Sequence, residues 1–364
     1  MRKKVFIFSR DPGGTNAVFP LINKLENKYC VVVYAKDAAI QIYNRENIRI
    51  KQKINKEDYA ELKKIVCLEH PNLIITGTSS DDFCEKYLWK IGSELQIPTF
   101  AILDHWCSYG IRFSKYSVAE TDKYEEEYSH EFMPDKILVM DEFAKKKSIA
   151  EKIPEERIVV TGQPHFEWII NKYKENIENV KKREDNIIRI LYVSDAIEMV
   201  YGGRKNAVTK LGYSEKTIFE ELIKSVERIE GFFDKKIEII IKLHPKEERN
   251  SYDDYIKKTH LRFYYEARDN IWEFLPEMDV VCGSISMMLV ESYICGKDII
   301  SIQIGDKEAQ KFILEELGKV NCIRTDIELD KRLKGYILQE SRPGGICFKT
   351  NVCENILKLV EDTI

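Results

Sequence analysis

Short apolar runs alternate with longer amphipathic segments along the whole chain. In the first half the runs are Lys4–Ser9, Cys30–Ala35, Asn72–Thr76, Pro98–Leu103, Lys136–Met140 and Arg157–Thr161. Each is rich in Val, Ile or Phe and apolar at successive positions, as a strand buried on both faces of a parallel sheet must be. Helical spacing marks Ala17–Glu26, Lys56–Glu69 and Ser80–Leu95 between them. A charged stretch, Asn171–Asn186, then intervenes, and the alternation restarts with Ile187–Ser194, Lys236–Leu243, Arg262–Glu266, Asp279–Cys282, Asp298–Gln303 and Asn321–Arg324. This predicts an α/β protein of two doubly wound parallel-sheet domains facing a cleft. The expected bounds are 1–168 for the first domain, 169–186 for a linker and 187–349 for the second. A final helix, 350–364, carries Val352, Ile356, Leu359 and Val360 as its apolar residues and is expected to pack back on one of the two halves, with the N-terminal domain as the first candidate.

Length agrees with this division, since 364 residues are two domains at ~150 residues each. Lys and Arg number 57 against 61 Asp and Glu, a net charge of −4, which argues against a nucleic-acid binder. No apolar stretch approaches the ~20 residues of a membrane span. The N-terminal apolar run stops after Phe8, too short for a signal peptide. The nine cysteines are scattered without a CxxC pair, which predicts neither a zinc ribbon nor a redox motif and fits a reducing compartment. The expected location is the cytoplasm, with the inner face of a membrane as a peripheral site.

In open α/β sheets ligands sit beyond the carboxyl ends of strands, so residues that follow strands carry the information. The first such group is Ser9-Arg10-Asp11-Pro12-Gly13-Gly14. Its glycines permit close backbone approach, and Asp11 either enters the cleft or caps the next helix. After the fourth run of the first half, Asp104, His105, Trp106 and Arg112 suit a polar, ring-shaped acceptor, with the aromatic face on the ring and charged groups on its hydroxyls. The alternative has Trp106 packing the domain and Asp104 orienting His105. A Cys107–His105 pair is not expected, because residues two apart in an extended loop need not meet.

In the second half, Lys242-Leu243-His244-Pro245-Lys246 places an imidazole directly after a strand, where proline fixes the loop. His244 is then positioned to donate to a phosphate oxygen, with Lys242 adding positive potential. Gly283-Ser284-Ile285-Ser286 ends a strand and opens a helix that carries Glu291. Helix-start N–H groups and two hydroxyls make an anion site, and the Glu291 carboxylate suits a ribose diol. A simple helix cap is the competing reading. Two further segments are weaker: Glu120–Glu131 reads as an acidic surface insertion, and Tyr201–Tyr213 as a long loop whose Arg204 and Lys205 either close over phosphates or do not.

The pattern resembles the GT-B superfamily of nucleotide-sugar glycosyltransferases, built from two Rossmann-like domains. The resemblance is carried by KLHP (Lys242–Pro245), GSIS…E (Gly283–Glu291), LDHW (Leu103–Trp106) and VTGQP (Val160–Pro164), where Gln163 replaces the usual Asn. It is similar to the bacterial surface-polysaccharide branches that include sialyltransferase-like, Kdo-transferase-like and CDP-glycerol glycerophosphotransferase-like enzymes. It implies a CMP-, CDP- or UDP-linked donor in the C-terminal half, with His244 on the phosphate, Ser284 and Ser286 beside it and Glu291 on the ribose. It places a glycan, lipid-linked or protein acceptor in the N-terminal half near Asp11 and Asp104, lined by Gly13, Gly14, Trp106 and Arg112. Asp11 is preferred as base over Asp104 and His105. No DxD motif follows a strand, so metal-independent transfer without a cofactor is expected. Two other readings compete: an enzyme similar to UDP-N-acetylglucosamine 2-epimerases, and a non-catalytic binding protein on the same fold.

Overall fold

The computed structural model describes residues 2–177, 186–307, 311–338 and 351–364. The chain divides into two compact units, Met1–Trp168 together with Phe348–Ile364, and Ile169–Cys347. The segment expected as a linker from residue 169 begins inside a helix, Pro164–Ile177, and residues 178–185 lie outside the described ones.

Unit 1 is built on seven parallel strands: β1 (Lys4–Ser9), β2 (Cys30–Ala35), β3 (Ile50–Lys53), β4 (Leu73–Thr76), β5 (Thr99–Ile102), β6 (Lys136–Val139) and β7 (Ile158–Val160). Their order is β3-β2-β1-β4-β5-β6-β7. Strand β1 shows why the apolar runs are continuous. Val5 and Ile7 face a core shared with helices Pro12–Glu26 and Val352–Thr363, while Phe6 and Phe8 face one shared with Tyr59–Glu69 and Cys84–Leu95. Each such buried side chain contributes on the order of 1.5–3 kcal/mol. The sequence pattern does not reveal β3, because Ile-Lys-Gln-Lys is a mostly exposed edge strand whose lysines discourage further pairing.

The first helix begins at Pro12 rather than at Ala17, so Gly13 and Gly14 lie in its first turn instead of in a tight loop. Asp11 is its N-cap, and Pro12 at the first position gives up an N–H that would have had no helical partner. Near the end of unit 1, Gly162 (φ 96) makes room for the last helix: a Cβ there would lie 2.5 Å from Val352.

Unit 2 has five parallel strands, β8 (Ile187–Val193), β9 (Lys236–Lys242), β10 (Arg262–Tyr265), β11 (Val280–Gly283) and β12 (Asp298–Ser301), in the order β10-β9-β8-β11-β12. The expected strand at Asn321–Arg324 is only a single bridge between Ile302 and Ile323. Ile188, Ile190 and Tyr192 of β8 pack on helices Glu215–Ile229 and Asp326–Ile337 through Ile218, Leu222, Leu329 and Leu333. In each unit the strand order reverses beside the first strand, between β1 and β4 and between β8 and β11. Those are the crevices where doubly wound sheets hold ligands.

Candidate functional site

At the unit 1 crevice, Asp11 stands two residues beyond β1 and Asp104 two beyond β5. Asp11 Oδ1 accepts the Gly14 N–H at 2.7 Å, so the capping reading holds for this oxygen. Gly14 and Gly77 bring two backbones together: a Cβ on Gly77 would lie 2.9 Å from the Gly14 Cα. Gly13 is as tightly placed, since its Cβ would sit 2.0 Å from Asp104 Oδ2. The two glycines are therefore needed for close approach within unit 1.

Arg112 is 7% exposed and turns Nη1 and Nε inward. Its Nη1 reaches Asp104 Oδ1 at 2.6 Å, the Thr78 carbonyl at 2.6 Å and the Thr78 hydroxyl at 3.0 Å, while Nε donates to the Ser108 carbonyl. Arg112 thus organises the crevice through Nη1 and Nε, while its Nη2 makes no hydrogen bond among the described residues. Trp106 also differs from the acceptor-stacking expectation: it is buried, its ring stacks on Phe166 at 5.5 Å, and its Nε1 donates to Asp141 at 2.8 Å. Asp104 pairs with Arg112 rather than orienting His105.

Burial, then the neighbouring Asp104 charge, raises the pKa of Asp11 despite the Gly14 N–H bond. A third carboxyl, Glu85, escaped the sequence reading, where it looks like an ordinary first-turn helix acid. It is fully buried, accepts the Ser79 N–H through Oε2, and its Oε1 has no hydrogen-bond partner among the described residues. Burial first, and Asp11 second, push its pKa well above the usual glutamate range. A carboxyl whose folded pKa exceeds its unfolded one stabilises fully below the unfolded value and loses that contribution as pH rises through the folded one. Stability of the wild type should therefore fall with rising pH above the ordinary glutamate range more steeply than that of Glu85→Gln. Thermal melts of both proteins across this range measure the difference, and parallel curves would contradict it.

His105 and Cys107, not expected as a pair, lie close enough in the loop after β5 to bias each other's protonation. Burial opposes the charged form of both side chains, but their mutual hydrogen bond and charge outweigh it. The imidazole is raised and the exposed Cys107 thiol brought down to about 7. Iodoacetamide at pH 7 should alkylate Cys107 several-fold faster than the exposed Cys30 and Cys67, as its thiolate fraction requires. Peptide mass mapping reads the order of labelling, and His105→Ala should abolish the preference.

In unit 2 the crevice between β8 and β11 is occupied by a residue absent from the sequence reading. Asp195, two residues beyond β8, accepts the Ser284 hydroxyl and, at 3.2 Å, the Ile285 N–H. Burial raises its pKa, and those two bonds oppose the rise. The signal was available: Asp195 has the same offset from its strand as Asp11, Asp104 and His244 from theirs. The Ser284 hydroxyl, expected beside a phosphate, gives its proton to Asp195 in this structure. Gly283 is the last residue of β11, and a Cβ on it would come within 2.9 Å of the Val193 carbonyl oxygen. Ser286 caps the helix Met287–Ile294, accepting the Met288 N–H at 3.3 Å, and half-buried Glu291 opens its second turn.

β9 flanks β8 on the side away from β11, so His244 and Ser284 are separated by the β8 loop rather than adjoining. His244 Nδ1 accepts the Lys246 N–H at 3.2 Å, and the His244 N–H donates to Glu247 at 2.9 Å. Pro245 lies exposed at the bend. Lys242 is drawn inward: its Nζ donates to the Arg268 carbonyl at 2.6 Å and lies 3.6 Å from Asp269. Lys242 ties the loop after β10 to the sheet. Arg204 is held by Glu220 and the Tyr255 hydroxyl, both at 2.9 Å, so it does not extend over the strand ends as a free cation.

No family model and no curated protein matches the chain. Solved structures do. UDP-GlcNAc 2-epimerase from Methanocaldococcus jannaschii superposes with a TM-score of 0.69 over 99% of both chains at 13% identity. The Neisseria meningitidis UDP-GlcNAc 2-epimerase bound to UDP-GlcNAc gives 0.67 over 99% of this chain and 100% of that one, at 13% identity. Anabaena HepE in complex with UDP and glucose gives 0.58 over 100% and 99%, at 13% identity. At such identities the likeness is one of fold: this chain has the two Rossmann-like units of the GT-B architecture.

Proposed function

We propose that the protein is a glycosyltransferase that moves a sugar from a nucleotide-activated donor to a hydroxyl-bearing acceptor in surface-glycan assembly. The observation that carries this reading is the placement of His244 at the carboxyl edge of the unit 2 sheet. With Nδ1 accepting a backbone N–H, the proton of the neutral imidazole is on Nε2, ready to donate to a phosphate oxygen. The Ser286 cap and the helix it opens favour the same anion, and Glu291 takes the ribose hydroxyls. Asp195 holds the Ser284 hydroxyl at the end of the neighbouring strand, beside the helix that Ser286 opens.

In unit 1 the acceptor hydroxyl is activated by Asp11. Its oxygen bonds to the sugar anomeric carbon as the carbon–phosphate-oxygen bond breaks. The electron pair leaves on the phosphate, where His244 stabilises it, and the hydroxyl proton passes to Asp11. A CMP-, CDP- or UDP-linked sugar is the donor class, and a glycan, lipid-linked or protein hydroxyl the acceptor class. The reading requires no cofactor beyond the donor.

A second reading, a sugar-nucleotide 2-epimerase, is favoured by one observation: the full-length likeness to two such enzymes. Product analysis after incubation with UDP-N-acetylglucosamine separates the two. Conversion without any acceptor supports epimerisation. Nucleotide release that depends on an added glycan acceptor, across a panel of donor sugars, supports transfer. Absence of turnover with every donor, with and without acceptors, would leave neither standing.

A further inference from the structure

The loop that carries His244 is closed by a single carboxylate. Glu247 accepts the His244 N–H at 2.9 Å through Oε2, and its own N–H donates to the His244 carbonyl at 2.9 Å. These reciprocal bonds fold residues 244–247 into a turn. The turn puts the Lys246 N–H against His244 Nδ1 at 3.2 Å, which leaves the imidazole proton on Nε2. If the turn opened, Lys246 would leave the ring, and neither the tautomer nor the direction of the imidazole would be fixed.

Glu247 is in turn anchored from the body of unit 2. Its side chain is only 8% exposed, and its Oε1 lies 3.4 Å from Lys216 Nζ, its one ion-pair partner among the described residues. Lys216 stands in the first turn of the helix Glu215–Ile229, where a cation opposes the helix dipole. The helix itself therefore gains nothing from this charge. The compensation comes from Glu247 and from the face of Tyr252, whose ring centre is 3.7 Å from the ammonium. Tyr252 is fully buried and bonds the Ser194 hydroxyl at 2.5 Å. A continuous series, Ser194, Tyr252, Lys216, Glu247 and His244, thus links the loop after β8 to the loop after β9.

We propose that Glu247 and Lys216 are the positioning pair of His244: they hold the turn that presents its imidazole as an Nε2–H donor, without touching the donor substrate themselves. The assignment rests on the phosphate-binding reading of His244. A nearly buried carboxylate needs its counter-charge, so removing Lys216 alone strands Glu247 and opens the turn. Glu247→Gln removes that need, because the amide oxygen still accepts the His244 N–H.

Amide exchange at Lys246, followed by NMR, reports the bond to the imidazole without any ligand. The amide should be protected in the wild type and lose that protection in His244→Ala, Glu247→Ala and Lys216→Met. Glu247→Gln and the double variant Lys216→Met/Glu247→Gln should keep most of it. Calorimetric affinity for UDP, CMP or CDP should follow the same order, falling about tenfold in Glu247→Ala. Adding Glu247→Ala to His244→Ala should cost nothing further, whereas a purely structural role would lower affinity in both backgrounds. Undiminished Lys246 protection in Glu247→Ala, or additive losses of affinity, would overturn the proposal. Exchange that follows the expected order in a chain that binds none of the nucleotides would support the positioning pair and remove the phosphate reading alone.

Discussion

Replacing Arg112 with alanine should lower the unfolding free energy of unit 1 by roughly 3–5 kcal/mol, the range for removing one partner of a buried ion pair. The guanidinium is buried and holds Asp104, the Thr78 hydroxyl and two carbonyls at once. Without it, Asp104 faces the raised carboxyl of Asp11 with no counter-charge, and the Thr78 and Ser108 carbonyls lose a donor. Arg112→Lys should recover only part of the loss, because an ammonium is a point donor and cannot span these acceptors as a planar fork does. Denaturant unfolding followed by tryptophan fluorescence reports mainly on unit 1, which contains Trp89, Trp106 and Trp168. A change below ~1 kcal/mol, the size of an exposed pair, would mean that this network does not hold the crevice together.

The second large effect is on turnover. Under the transferase reading, His244→Ala and Asp11→Asn should each reduce kcat by about 10²–10⁴-fold, the contribution typical of positioned acid–base groups. Asn is as good a helix cap as Asp, so Asp11→Asn should keep the first helix and remove the base alone. The pH profile adds a readout that a structural role would not move. A base works deprotonated, so activity should rise with pH through a value above the ordinary aspartate range, because burial and Asp104 raise Asp11. Asp11→Asn should lose that limb. Wild-type rates in both variants would remove these residues from the chemistry.

What the sequence discloses and what it hides divide along a physical line. Strands buried on both faces write themselves as continuous apolar runs, so β1, β2 and the strands after them are legible. β3 is not, because an edge strand with lysines has no apolar signature. Residues just past a strand are legible as site candidates, which is how Asp11, Asp104 and His244 were found. Asp195 has the same position but no distinctive neighbours, and only its bond to Ser284 singles it out. Glu85 and the inward use of Arg112 could not be read at all. Whether a charge on a helix or loop points to solvent or to a buried carboxylate is decided by contacts between segments distant in sequence. The same holds for Trp106, whose ring is as suited to a sugar as to Phe166 until the fold chooses.

The two units also repeat a device that no short-period search detects. Ser9 at the end of β1 bonds the Tyr43 hydroxyl at 2.7 Å, and Ser194 just beyond β8 bonds the Tyr252 hydroxyl at 2.5 Å. In both, a buried serine beside the first strand's crevice is fixed by a tyrosine from the segment after the second strand. These pairs hold the loops that present Asp11 and Asp195.

The most direct measurement is calorimetric titration of UDP, CMP and CDP into the wild-type protein and into His244→Ala. A nucleotide held by the Nε2–H donor should bind the wild type and lose about 10–100-fold in affinity in the variant, as expected for a hydrogen bond to a charged oxygen. Identical affinities in the two proteins, or heats of dilution alone for all three nucleotides, would contradict the account.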